Sequence, residues 1–406
     1  MFMKKSSILG LCLIAGVTAS AQMSLVKDVE RSLKGGNDDL ATALVNIQPA
    51  LTNDESKSEA QTWFVAGKAG FELYDNLYAK KTIGQNVDGK QVGDAIIKGY
   101  EYMMTALPLD TIVDAKGKVK TKYSKDIVKT IAGHYNDFST AAVFCWEAKD
   151  YPGAYKAWSI WVDLPNNKSL GKNAPAAPAD TIVSEMVYNM ALAAWQMDSI
   201  PLALENMQRA KSMGYKKKNL YDYAISLAAQ SKNNALVYEL AEEAYPLYGD
   251  EDPKFLQLMI NSRIEKEKYA EAKQMLENAI SADPDNAQLY NIMGILYEAQ
   301  KDNDNAIANY RKATELDSQF AQSQYNLGRK LCEKAYAISD GASNLSQADY
   351  NKLVETEINP LFREAAGHLE AAYSIDPDNG SDALRYLRNV YYNLHDEENL
   401  KRVEAL

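Results

Sequence analysis

A spacing of 34 residues organises this chain. Ala272, Leu276 and Ala279 return as Ala306, Tyr310 and Ala313, and Gly294 returns as Gly328, each 34 positions later. A fixed period in this range marks stacked helical hairpins rather than a chain folded around one central core. Residues three and four apart share a helix face. Tyr290, Met293, Gly294 and Tyr297 make one such stripe, and Ala306, Tyr310 and Ala313 make another on the next helix. Gly294 and Ala306 are small enough to let two backbones approach, while the Tyr and Met side chains fill the space beside them. A single hairpin cannot bury its own apolar face, so neighbours must stack to complete a core.

From Asp285 to Ser318 these residues resemble the tetratricopeptide repeat, with Ser318 where that family closes on Pro. The preceding unit keeps its Pro as Pro284. The resemblance implies an all-α, right-handed superhelical solenoid of helix-turn-helix repeats. Weaker copies of the second-helix stripe are Ala154, Trp158 and Trp161, then Ala203, Met207 and Ala210, then Ala365, Leu369 and Ala372. Trp63 and Gly67 echo the first helix near the start. Ile260 stands where a small residue is expected, and the unit from Leu220 to Tyr245 is degenerate. By analogy with the period, about seven repeats fill residues 58–379. Capping helices are expected over 22–57, broken at Gly35-Gly36, and over 380–406.

Insertions interrupt the period near 77–92, 108–123, 166–180 and 338–360. The second alternates around Lys116-Gly117-Lys118 as a small β-hairpin would. The third is rich in Pro, Gly, Asn and Ala and reads as an exposed loop.

Residues 1–21 have the order of a secretory leader: Lys4 and Lys5, an apolar run from Ile8 to Val17, then Ala19-Ser20-Ala21. Cleavage after Ala21 is expected, with the product exported to the periplasm or cell envelope of a Gram-negative bacterium. The run is short for a bilayer span, and no later segment reaches that length. A formal charge of −11 argues against nucleic acid or an anionic lipid surface as partner. Cys145 and Cys332 lie several repeats apart and are expected to be small buried hydrophobes, not a disulfide.

Catalytic patterns are wanting. Gly84 to Gln91 approaches a phosphate loop but ends on Gln91 instead of Ser or Thr and follows no apolar strand. His134, His368 and His395 have no second ligand at metal spacing. Glu242-Glu243 and Glu397-Glu398 occupy adjacent helix positions that point apart. No catalytic residue, metal or cofactor is assigned, and the chain is read as a binding protein, not an enzyme.

The family resemblance implies that first helices line a concave groove. In this register that face includes Trp146, Tyr188, Trp195, Asn291, Tyr325 and Arg329. The remaining signature positions, Gly67, Ala154, Ala203, Ala272, Tyr290, Gly294, Tyr297, Ala306, Tyr310, Ala313, Gly328 and Ala365, are assigned to packing between helices. The expected partner is an unidentified protein or peptide; the alternative is a solute or glycan held by aromatic residues and insertions. Lysines that grip a C-terminal carboxylate in some family members are absent beside Asn291, Ile295, Gln322 and Asn326, so that activity is not carried over. Asp110-Thr111-Ile112, Asp180-Thr181-Ile182 and Asp198-Ser199-Ile200 resemble an O-glycosylation acceptor of exported bacterial proteins.

Overall fold

The computed structural model describes residues 19–34, 39–113, 116–249 and 251–406. The leader expected over 1–21 lies outside the described residues as far as residue 18, and so do Gly35 and Gly36. The chain divides into two units between Leu220 and Tyr221.

The first unit holds α1 (Ala19–Lys34), α2 (Leu40–Asn46), α3 (Gln48–Thr52), α4 (Ala60–Thr82), α5 (Gly89–Leu109), α6 (Ser124–Gly133), α7 (Tyr135–Glu147), α8 (Tyr151–Asp163), α9 (Asp180–Gln196) and α10 (Ile200–Ser212). Between α5 and α6 lies the small hairpin that the sequence predicts. Strands β1 (Ile112–Val113) and β2 (Val119–Lys120) pair antiparallel, Ile112 opposite Lys120 and Val113 opposite Val119. The second unit opens within α11 (Lys218–Gln230). It continues through α12 (Asn234–Tyr248), α13 (Lys254–Glu265), α14 (Tyr269–Ala282), α15 (Ala287–Ala299), α16 (Asn303–Leu316), α17 (Ala321–Gly341), α18 (Gln347–Leu353), α19 (Asn359–Ile375), α20 (Ser381–Asn393) and α21 (Glu397–Glu404). Among the described residues, no helix is long and apolar enough to cross a membrane.

The turn inside a hairpin has one repeated geometry. Lys149, Asp198, Lys232, Glu267, Lys301 and His395 all adopt φ between 54° and 62°. In each turn the following N–H reaches the carbonyl five residues back. Asp150 donates to Cys145 at 2.8 Å, Asn233 to Ala228 at 2.9 Å, and Asp302 to Tyr297 at 2.9 Å. This left-handed closure satisfies carbonyls that the helix end would otherwise orphan. Asn233, Asp302 and Asp396 then accept the N–H of Leu236, Asn305 and Asn399 and so start the next helix. The stretch from Leu220 to Tyr245, degenerate in sequence, keeps this geometry at Lys232.

Packing follows the small positions. Ala154, Ala203, Ala272, Ala306, Ala313 and Ala365 are fully buried, as is Tyr310. A Cβ on Gly67 would fall 2.5 Å from Met103 Cγ, so α4 and α5 touch there nearly backbone to backbone. Ile260 is fully buried too. Its partner helix offers Leu276 at the position equivalent to Tyr310, so a larger residue on one helix is matched by a smaller one on the other. Tyr290 and Tyr297 are half-buried at the edges of these contacts.

Three of the insertions carry helical structure of their own. The one placed at 77–92 is mostly helix, because α4 runs on to Thr82 and α5 starts at Gly89. Asp88 starts α5 early by accepting the N–H of Lys90. The segment 166–180 is not a plain exposed loop: its 3-10 turns over Lys168–Asn173 sink Leu170 to 1% exposure. The segment 338–360 is largely helical, with α17 continuing to Gly341 and α18 leading into α19. Gly328 accordingly packs against Leu369 and Ala365 of α19, not against the helix next in sequence. Cys145 and Cys332 are free and buried, and burial pushes both thiols up to about 12.

Candidate functional site

The first helices of three successive hairpins, α13, α15 and α17, carry equivalent residues on one face. Lys254, Gln288 and Gln322 succeed one another at 34 residues, as do Gln257 and Asn291, Ile292 and Asn326, and Ile295 and Arg329. Together they line an open groove of about 920 Å³, with Asp252, Glu298, Ala299, Tyr310 and Phe320 at its margins.

Amides make up much of the lining. Asn291 is 3% exposed, and its Oδ1 accepts Asn326 Nδ2 at 3.0 Å and Ser323 Oγ at 3.1 Å. Gln322 Nε2 donates to Asn326 Oδ1 at 3.1 Å. These bonds fix which way each amide faces. Asn326 and Ser323 reach Asn291 because positions 323 and 326 share a helix face.

At one end a charged cluster ties three helices together. Arg329 gives a two-pronged bond to Glu298, at 2.7 and 2.9 Å, and a third to Glu333 at 2.7 Å. Tyr310 donates to Glu298 at 2.9 Å and Lys330 to Glu333 at 2.6 Å. Burial raises the Glu298 carboxyl, but the hydrogen bonds and charge of Arg329 outweigh it and hold the group below its ordinary value. Burial pulls the Arg329 guanidinium down, and the bonds it donates to the Glu298 carboxylate reverse that, so Arg329 stays charged.

Asn291 and Arg329, both named from the sequence, meet in this groove. Tyr325 packs edge-on to Tyr386, centroids 6.2 Å apart, and is not among the lining residues. Tyr188 is a correction: at 4% exposure it stacks on Tyr215, 4.5 Å away, and serves packing rather than a groove. Trp146 and Trp195 are half-buried in the first unit. Trp146 borders an apolar pocket of about 240 Å³ with Val143, Trp158, Asn189 and Leu192. Gln257, Gln288 and Glu298 were not singled out beforehand, although the 34-residue offset from Asn291 and Gln322 points to the two glutamines.

Among the described residues, no three His, Cys, Asp or Glu side chains cluster so as to hold a metal ion. His134 caps its own helix turn and reaches Asp75 at 3.2 Å; His368 bonds Gln324 at 2.6 Å. In the acceptor-like tripeptides, Thr111 and Thr181 are exposed and Ser199 is half-buried in its turn.

Residues 261–286 and 287–320 match the family model of the tetratricopeptide repeat. Among solved structures, a TPR-repeat protein of Bacteroides fragilis is 17% identical over 64% of this chain and 98% of its own, with a TM-score of 0.31. YrrB, described as a TPR protein with an unusual peptide-binding site, is 18% identical over 50% of this chain and 95% of its own, with a TM-score of 0.30. Yeast Tom70 is 12% identical over 94% and 83%, with a TM-score of 0.40. No curated protein matches the chain. Residues 261–320 are thus two tetratricopeptide repeats.

Proposed function

We propose that the protein is a non-catalytic interaction scaffold of the periplasm or cell envelope, and that the groove of its second unit holds an extended segment of a partner protein. The observation that carries this reading is the amide lining. A side-chain amide offers donor and acceptor together, which is what an extended backbone needs at every residue. Gln288 and Gln322 are exposed, and Asn291 and Asn326 are held in fixed orientation beneath them. Pre-ordered amides lose little freedom when a chain settles on them. Export rests on the leader pattern of residues 1–21.

In-cell crosslinking and affinity capture from the native host test the reading. A protein captured by the wild type and lost with Gln288→Arg/Gln322→Arg, in a variant whose melting curve is unchanged, supports it. A partner kept by both moves binding out of the groove. An N-terminus at Gln22 in the envelope fraction supports export; an intact Met1 in the cytosol ends that part.

A second reading, a solute or glycan ligand, draws on the pocket beside Trp146 and Trp158. Thermal shift against a sugar and solute panel checks it.

A further inference from the structure

Cleavage after Ala21 would leave α1 to start at Gln22. Gln22, Val26 and Val29 share one face of that helix, being four and then three residues apart. It is the docked face: Val26 and Val29 are buried in a cluster with Val65, Ala66 and Ala69 of α4. Beside Gln22, the sulfur of Met23 accepts the hydroxyl of Thr62, a fully buried residue, at 3.8 Å. Gln22 itself is 7% exposed, and its Oε1 is enclosed with no hydrogen-bond partner. The cut therefore falls where the helix is already seated on its neighbours.

An α-ammonium group suits this position badly. It sets a positive charge at the positive end of the helix dipole. The first turn left after the cut, Gln22-Met23-Ser24-Leu25, holds no acid to offset it. The first acid of the helix, Asp28, is paired with Arg31 at 2.7 Å. A charge carried on the docked face also loses hydration.

Glutamine can remove that charge by itself. Its α-amine, in the uncharged form, attacks Cδ of its own side-chain amide, an encounter made efficient by being intramolecular. The bond from the amine nitrogen to Cδ forms, the bond from Cδ to Nε2 breaks, and Nε2 leaves as ammonia with the proton that the amine gives up. The product is a neutral lactam ring, and no oxidant, reductant or second substrate is consumed. Oε1 stays in place as the lactam oxygen, so the fold gives up no bond that this atom makes.

We infer that Gln22 is a modification site: the exported chain begins with a pyroglutamyl residue, which leaves the docked start of α1 uncharged. This rests on the export reading above and adds to it the chemical state of the new terminus.

Mass spectrometry of the N-terminal tryptic peptide, from protein taken out of the envelope fraction of the native host, tests it. The expected peptide is Gln22–Lys27, lighter than its sequence by one ammonia. A heavy-labelled Gln22–Lys27 peptide with a free amine, added before digestion, measures cyclisation during handling, and the native peptide must exceed it. A native peptide that starts at Gln22 with a free amine overturns the inference and leaves export standing, as does a start at another residue beyond the leader. A chain that still starts at Met1 overturns both. The role of the ring is read on a recombinant chain freshly cut to expose Gln22, measured before and after it cyclises. Amides of residues 24–27 should exchange about two- to fivefold faster before cyclisation, the size of a charge effect at a helix end. Equal rates would overturn the claim that the ring steadies α1.

Discussion

A Cβ on Gly294 would lie 2.5 Å from Cε1 of Tyr310, so the ring that fills the α15–α16 hairpin occupies the space that the glycine leaves. Tyr310 is fully buried and cannot swing out without breaking its bond to Glu298. Gly294→Ala should therefore cost about 1–3 kcal/mol by overpacking. Gly367, inside α19, provides the control. Nothing lies within 4 Å of its missing Cβ, so Gly367→Ala should stabilise by about 0.5–1 kcal/mol through helix propensity alone. Urea denaturation of the two variants should give shifts of opposite sign; shifts of one sign would mean that the ring does not sit on the glycine.

The left-handed turns yield a second expectation. An L-residue at φ 56°, as at Lys232, has its Cβ crowded against its own carbonyl. The Lys232 side chain is exposed, so a change there disturbs little else. Lys232→Gly should raise stability by about 0.5–1 kcal/mol, the relief of strain less the greater freedom of glycine in the unfolded chain. Lys232→Val should lower it, since a β-branched residue tolerates this backbone least. Midpoints in guanidinium that rank Gly above Lys above Val bear this out, and an unchanged midpoint for Val would show that the turn relaxes.

These two cases also show what the sequence could and could not disclose. Gly294, Ala306 and Tyr310 were legible because close helix approach admits so few residue types that the period stands out. The turn residues Lys149, Asp198, Lys232, Glu267, Lys301 and His395 are three lysines, two acids and a histidine, and none is the glycine that would mark a left-handed turn. What holds them is a backbone bond to the preceding helix, strong enough to override a left-handed penalty of about 1–2 kcal/mol, and it leaves no mark in composition. In the groove, Asn291 and Arg329 were within reach because the register is strict across α15 and α17. Tyr188 was not, since one residue turns a helix by about 100° and an aromatic ring suits either side. In 338–360, Ser, Asp and Asn cap helices; Ser346 accepts the N–H of Asp349 to begin α18.

Asp110 is a case of structure invisible to local pattern. Its carboxylate accepts the N–H groups of Lys122, Tyr123 and Ser124, at 3.0, 2.7 and 2.6 Å, and the Ser124 hydroxyl at 2.7 Å. It thus closes the base of the β-hairpin and caps α6 from across the loop. Burial raises this carboxyl, but the Ser124 hydroxyl and the three amides more than offset that and bring it below 3.8. Asp110→Ala should cost about 2–3 kcal/mol, as for a charged cap removed from buried amides. Hydrogen exchange should show the amides of residues 122–124 losing protection while α8 keeps its own. Uniform loss across the first unit would mean that the whole unit, not the hairpin base, depends on this residue.

The bond between Glu298 and Arg329 contributes to the acid response of the second unit. The folded carboxyl titrates below its ordinary value of 4.5, so the unfolded chain binds its proton first as pH falls. The stabilisation is therefore whole above about 4.5 and disappears as pH drops through the lower folded value. Glu298→Gln keeps the shape and removes the charge, while Glu333 remains to accept from Arg329. The loss at pH 7 should be about 1–2 kcal/mol, reduced from that of an isolated buried pair by the surviving partner and partial exposure. Melting temperatures of wild type and variant should differ most at neutral pH and converge on acidification below 4.5, because the wild type then carries a protonated carboxyl in the same place. A gap that stays constant with pH would show that Glu298 acts through packing under Tyr310 and not through its charge.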